Sequence, residues 1–255
     1  MERKVILKVR DLKKKYNLQA EDTLVLKGIS VDVFDRDFTV IMGSSGSGKS
    51  TFLYCVSGMD SITSGSVLFG EYQIEKMKEN QLSILRRNNM GFVFQQMNLL
   101  PALSLKENII VPAYLSGKKK NTEIIAQAEK LIESFGIREI KEHKPNQVSG
   151  GQLQRAAIAR ALINSPNIIY ADEPTGALNS SSSEDVLNIL TKCNEDGQTI
   201  LMVTHDVNAA LRANRIIYIK DGIIGGEKCL SDYKEDNDKE RRRKEVLIWL
   251  SEMGW

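Results

Sequence analysis

The chain has 255 residues, 42% hydrophobic, 27% charged and 6% aromatic, with a formal net charge of +2. That balance suits one well-filled α/β domain or two closely joined subdomains, and it excludes a disordered chain, which needs fewer apolar residues and a more lopsided charge. A near-neutral charge also supplies no global field that calls for nucleic acid.

Three scattered cysteines, Cys55, Cys193 and Cys229, form neither a disulfide framework nor a metal cluster in their spacing, which fits a reducing compartment. Met1–Arg10 mixes charge with alternating Val5, Leu7 and Val9 and reads as a strand rather than a signal peptide. Thr23–Val33 and Phe38–Met42 read as further strands, the last running into a glycine-rich loop and then an apolar helical segment, Thr51–Ser57. Gly65–Tyr72, with Val67 and Phe69 between glycines, reads as a hairpin strand, and Met90–Phe94 as another strand. From Ala102 to about Leu162 the pattern is helical, with lysine-rich Gly117–Asn121 as an exposed turn between two helices. Strand character returns at Ile168–Ala171, Thr199–Thr204 and Arg215–Lys220, with a helix around Glu184–Lys192. Alternation of this kind predicts a mainly parallel sheet covered on both faces, with the helical block as an insertion.

After Gly226 the composition shifts: Lys234–Glu245 is nearly all charged, and Val246, Leu247, Leu250 and Met253 recur at helical spacing. Such a tail is either a partner contact or a helix packed on its own domain behind a solvated linker, and base rates favour the second. No apolar run approaches the roughly 18–20 residues of a bilayer span, so work at a membrane requires another polypeptide to supply the spans.

The chemistry concentrates in a few segments. Gly43, Ser44, Ser45, Gly46, Ser47, Gly48, Lys49 and Ser50, followed by Thr51, fit G-x-x-x-x-G-K-[ST] between a strand and a helix. The loop's backbone N–H groups form an anion nest, to which the helix adds its positive end. Lys49 can reach the β- and γ-phosphates of ATP, and the Ser50 hydroxyl can ligate Mg²⁺. A plain glycine-serine turn is the alternative, and the strand–loop–helix context weighs against it. The second half of a magnesium site is a carboxylate ending a buried strand, which Asp172 supplies, with Glu173 beside it. Alone, that pair reads as a solvent-facing turn before Pro174; together with the loop it reads as functional.

Val148-Ser149-Gly150-Gly151-Gln152, followed by Gln154-Arg155-Ala156-Ala157-Ile158-Ala159-Arg160-Ala161-Leu162, resembles the signature segment of ABC-type ATPases. Ser149 is a good helix N-cap, and Gly150 and Gly151 let backbone amides approach a phosphate. The resemblance covers about Val5 to Gly226 and implies a P-loop NTPase core of α/β class. That core has a mainly parallel sheet, an N-terminal antiparallel β subdomain and an inserted α-helical subdomain at about 102–165. An ATPase domain at 1–226 is then followed by a charged extension at 227–255. It further implies that Tyr16 stacks on adenine, that Gln95 senses Mg²⁺ and water, that Asp172 orients Mg²⁺, and that Glu173 faces the attacking water. His205 would contact the γ-phosphate, and Ser149, Gly150, Gly151 and Gln152 would complete the ATP site of a partner copy. Gly176-Ala177-Leu178-Asn179 would form a dimer-contact loop; His143, without such context, is a surface residue.

Within the family, Phe94–Pro101, Leu105–Ile109 and Ala171–Leu178 look most like the branch serving macrolide export, lipoprotein release and bacitracin-type peptide resistance. The implied protein is a cytoplasmic homodimeric ATPase at the inner face of the membrane. It would drive a permease docked near Gln95 and the helical subdomain, with a sensor kinase reached through that permease. A lipoprotein-release or cell-wall-regulating ABC ATPase is the alternative. A soluble non-transport ABC ATPase would carry tandem domains, coiled coils or zinc cysteines, which the sequence lacks. Three positions depart from the family: Val148 replaces leucine, Arg36 stands at a usual glycine, so that turn should differ, and Asn179 replaces aspartate. The transported molecule belongs to the permease and is not encoded here.

Overall fold

The computed structural model describes residues 3–18, 21–231, 233 and 239–255. Residues 234–238 of the charged run Lys234–Glu245 therefore lie outside the described residues. In chain order the strands and helices are β1 (Val5–Leu18), β2 (Glu21–Phe34), β3 (Phe38–Met42), α1 (Lys49–Val56), β4 (Ser64–Phe69), β5 (Tyr72–Gln73), α2 (Glu79–Asn89), β6 (Met90–Phe94), α3 (Leu105–Ser116) and α4 (Asn121–Ser134). They continue as α5 (Gly150–Leu162), β7 (Ile168–Asp172), α6 (Ser180–Glu195), β8 (Thr199–Val203), α7 (Val207–Ala210), β9 (Arg215–Lys220), β10 (Ile223–Cys229) and α8 (Lys239–Glu252). The chain folds as two compact units, 1–78 with 199–255, and 79–198.

In the first unit β3 lies between β8 and β9 and is parallel to both, while β10 closes on β9 antiparallel. Every residue of β3 and β8 is buried, which explains their unbroken apolar runs. A separate antiparallel sheet has the order β2-β1-β4-β5. β1 extends well past the expected Val9, through the lysine-rich 13–15, and its register against β2 slips four times, between Val5 and Leu7, Val9 and Leu12, Leu12 and Lys13, and Lys14 and Lys15. Those slips break the period-two alternation and turn Lys14 inward, where it is buried.

The turn before β3 forms despite the missing glycine. Arg36 takes φ 65, and its N–H donates to Thr199 Oγ1 at 2.8 Å. Arg36 thus occupies the left-handed region, which a residue with a side chain rarely enters.

The tail packs on its own unit. Arg242, Val246 and Leu250 of α8 are buried, and Arg242 donates to the carbonyls of Ala213 and Ser231. Trp249 and Trp255 both meet Tyr218 edge-on, at 6.5 and 6.3 Å between centroids. Lys228 pairs with Glu245 at 2.9 Å.

The second unit holds the parallel pair β6–β7 and the helices α2 to α6. Leu105, Ile109 and Ala113 of α3, Ile124, Ala128 and Ile132 of α4, and Ala156–Ala159 of α5 are all buried and form its helical core. Each large aliphatic side chain so placed contributes about 1.5–3 kcal/mol. The small alanines let α5 approach its neighbours closely. α3 starts on a capping box: Ser104 N–H donates to Glu107 Oε2 and Glu107 N–H to Ser104 Oγ, at 2.7 and 3.2 Å. It ends at Gly117, φ 65, so the expected exposed turn spans 117–120. Lys106 and then Lys141 hold the Glu129 carboxylate down at about 2, tying α3 and the turn after α4 to α4.

Candidate functional site

The expected residues fall into two sets, one in each unit. In the first, β3 ends at Met42 and the chain turns at Gly43, φ 155, where a Cβ would lie 2.1 Å from the Ile219 carbonyl oxygen. Only glycine fits. Lys49 is 8% exposed, and its ammonium donates to the carbonyls of Gly43 and Ser44 at 2.9 and 2.8 Å, closing the loop on itself. Gly48 is the N-cap of α1 and no side chain caps that helix, so its first N–H groups remain aimed into the loop. Ser47 Oγ is buried without a hydrogen-bond partner among the described residues. An uncapped helix start, an orphaned buried hydroxyl and a lysine folded onto the loop fit a polyphosphate. Ser50, half-buried one residue on, presents a hydroxyl at the same helix start.

His205 lies just beyond β8, exposed, next to Thr204, whose N–H donates to Ile41 of β3 at 3.1 Å. It therefore stands beside the strand that feeds the loop. Tyr16 belongs to the same unit. Its hydroxyl donates to Asp60 Oδ2 at 2.6 Å, and the Lys14 ammonium sits 4.7 Å from its ring centroid. Burial and the bond to Asp60 push the Tyr16 phenol up to about 12. Burial alone would raise Asp60, but the bonds from Lys14 and Tyr16 outweigh it and hold the carboxyl below its usual range. Burial pushes the nearby Cys55 thiol up to about 12, which leaves it inert as a nucleophile.

In the second unit Phe94 pairs with Asp172, so Gln95 and Glu173 emerge side by side at the ends of β6 and β7. Asp172 is buried at the strand end. Glu173 is held at φ 48, a conformation costing about 1–2 kcal/mol for a residue with a side chain. Its carbonyl accepts from Gly176 N–H at 3.0 Å, and a Cβ on Gly176 would lie 2.8 Å from Gln95 Nε2. Gly176 thus leaves room for the Gln95 side chain to lie over the Glu173 turn.

Ser149 caps α5 as the sequence predicts: Ser149 Oγ accepts from Gln152 N–H at 3.4 Å, and Ser149 N–H donates to Gln152 Oε1 at 2.9 Å. The Gln152 side chain is therefore engaged in the cap. Ser149 and Gly150 are exposed, whereas Gly151 is buried; a Cβ there would sit 2.8 Å from Ser182 Oγ. Gly151 therefore lets α5 approach the start of α6, a packing role that its expected place facing a phosphate does not reveal. Asn179 also has a structural task. It caps α6, accepting from Ser182 N–H at 2.8 Å. An aspartate would keep this cap and add a favourable charge at the helix start. We therefore expect Asn179→Asp to raise unfolding stability by about 0.3–1 kcal/mol with ATPase activity kept or increased. Denaturant titration and phosphate release measure both, and a collapse of activity would mark the asparagine as a specific adaptation.

Four residues with structural claims on the site went unassigned in the sequence: Lys14, Asp60, Gln154 and Arg160. Gln154 is fully buried and donates to Phe94 O at 3.3 Å, while Arg160 donates to Met97 O and Asn98 O, both at 2.7 Å. Both reach from α5 to the segment containing Gln95. A signal existed, since polar side chains interrupt an otherwise alanine-rich buried helix. Arg155 ties α5 to α6 through Asp185 at 2.6 Å. The oxygens of Ser50, Gln95 and Asp172 are hard donors, the type Mg²⁺ takes.

A family model described as "ABC transporter" matches residues 26–176. The macrolide export ATP-binding/permease protein MacB of Mannheimia succiniciproducens is 47% identical over 220 residues, 86% of this chain. The chain spans about a third, 34%, of that relative's length. The bacitracin export ATP-binding protein BceA of Halalkalibacterium halodurans is 43% identical, covering 86% of this chain and 87% of its own. The uncharacterized ABC transporter ATP-binding protein MJ0796 of Methanocaldococcus jannaschii is 42% identical across its whole length and 90% of this chain. A solved dimeric structure of the MJ0796 ATP-binding cassette, in a post-hydrolysis state bound to ADP and Pi, superposes with a TM-score of 0.82. It is 40% identical and covers 89% of this chain and all of its own. Among the described residues no helix is long and apolar enough to cross a membrane.

Proposed function

This chain belongs to the ABC transporter ATP-binding family and is an ATPase, and from that premise we propose that it works as one of a pair of subunits that close on ATP and drive a membrane permease. The loop Gly43–Thr51 and Tyr16 bind the nucleotide in one copy. Ser149, Gly150, Gly151 and Gln152 of a second copy complete the site from the other side. The observation that carries this reading is the exposed start of α5, where Ser149 and Gly150 lie at the surface at the head of a thirteen-residue helix.

Within the site Lys49 neutralises phosphate charge, Glu173 takes a proton from water, and Gln95 and His205 orient the reacting end. Bound Mg²⁺ would supply further charge neutralisation on the phosphate oxygens, and Ser50, Asp172 and Gln95 are the residues that would hold it. The permease would dock near Gln95 and the helices of the second unit, which places the subunit at the inner face of the membrane. The names of MacB and BceA support export of an antibiotic or antimicrobial peptide as the class of work, and a sensor kinase is reached through the same permease. Fractionation of the producing cell tests the assembly: the chain should sediment with membranes and crosslink to one integral membrane protein. A chain that stays wholly in the soluble fraction, with no membrane crosslink, would overturn the proposal.

A further inference from the structure

Lys14 and Tyr16 are two residues apart on β1, and the Lys14 ammonium lies over the Tyr16 ring, so the lysine stem runs alongside it. Both reach the loop after α1, where one carboxylate serves them together. Asp60 Oδ1 accepts from the Lys14 ammonium at 2.7 Å, and Oδ2 accepts from the Tyr16 hydroxyl at 2.6 Å. The ammonium also donates to Ser61 O at 2.6 Å, which fixes it against the loop. The same loop is strapped to β1 by Lys15 N–H to Thr63 Oγ1 at 2.9 Å and Thr63 N–H to Lys13 O at 2.8 Å. Met59 and Asp60 N–H groups both donate to Tyr54 O of α1, at 2.9 and 3.1 Å.

A phenol ring on a strand ordinarily keeps rotational freedom about its side-chain bonds. Here its tip is tied to Asp60 and one face is covered by a cation 4.7 Å from the centroid. The face opposite the ammonium is the one a planar ligand would take. We propose that Lys14 and Asp60 are positioning residues that hold the Tyr16 ring as a one-sided stacking platform for the nucleotide base and tie it to the phosphate-binding helix α1. The proposal rests on the reading of Tyr16 as the base platform.

Two consequences separate this role from ordinary structural support. The network touches the base and not the phosphates, so its loss should weaken only ligands that carry a base. It also acts through Tyr16, so its loss should matter little once the ring is gone.

The test is nucleotide binding and steady-state hydrolysis by the full chain with Lys14→Met, Asp60→Asn, Tyr16→Leu and Tyr16→Leu/Asp60→Asn. Inorganic tripolyphosphate serves as a ligand without a base. Tyr16→Leu should raise the KM for ATP by about tenfold or more. Lys14→Met and Asp60→Asn should each raise it by about three- to tenfold, with kcat changed less than about twofold. Competition by tripolyphosphate should be unchanged in all of them, and the double variant should be no worse than Tyr16→Leu alone. If Tyr16→Leu binds ATP normally, the base-platform reading falls and this proposal with it. A loss for Tyr16→Leu without any loss for Lys14→Met and Asp60→Asn overturns the positioning role alone. An equal loss of ATP and tripolyphosphate binding in those two variants also overturns it, since the network would then be supporting α1 in general.

Discussion

Glu173→Gln should abolish steady ATP hydrolysis while leaving ATP bound, with phosphate release falling by about 10²–10⁴-fold. The reason is chemical and local. Glutamine keeps the length and a hydrogen-bonding tip but cannot take a proton from water. Because the variant sits at the same left-handed backbone position, φ 48, it carries the same conformational cost and the fold is not the variable. Gln95 still lies over the Gly176 turn, and Asp172 still ends β7. Nucleotide therefore binds and is not consumed. If closure requires ATP in both copies, the variant should accumulate as a dimer with ATP and revert to monomer with ADP. Phosphate release and light scattering of the same sample measure the two halves of this prediction. Turnover within a few-fold of the parent chain would remove Glu173 as the base, and a permanent monomer would remove the paired site.

Lys49→Ala should remove ATP binding itself. The Lys49 ammonium is held among the loop carbonyls of Gly43 and Ser44, so it is already placed where a polyphosphate would enter the loop. A charge-assisted hydrogen bond is worth about 1.5–3 kcal/mol, so two such contacts to phosphate imply an affinity loss of about 10²–10⁴-fold. The glycine cradle and the uncapped start of α1 persist in the variant, and tripolyphosphate should weaken in parallel with ATP because the lost contact is to phosphate. Nucleotide titration with circular dichroism as a folding control measures this. Unchanged affinity in a folded variant would remove the loop as the cradle.

Much of this site was legible because its residues act through local geometry. The phosphate loop announces itself by glycine spacing between a buried strand and a helix, and Ser149 with Gln152 forms a cap that follows from their three-residue separation. The remainder depends on partners far along the chain. Lys14 carries no signal in the sequence, because its inward placement depends on register slips along β1 and on Asp60, forty-six residues away. Arg36 marks a turn expected to differ, and the left-handed backbone it adopts there, with its N–H given to Thr199, depends on a residue 163 positions away. α2 leaves no helical signal in the sequence because it buries only Leu85 and so has almost no apolar stripe. β10 is silent for a similar reason: a pair of glycines interrupts it, and its side chains are exposed or half-buried throughout. Asn179 illustrates the opposite error. Its residue type invited a question about charge, while its position at the start of α6 gives it a backbone duty that either residue can perform.

The two tethers from α5, Gln154 to Phe94 and Arg160 to Met97 and Asn98, fasten one helix to both flanks of Gln95. The backbone on either side of that glutamine is therefore positioned by the same helix that Ser149 caps.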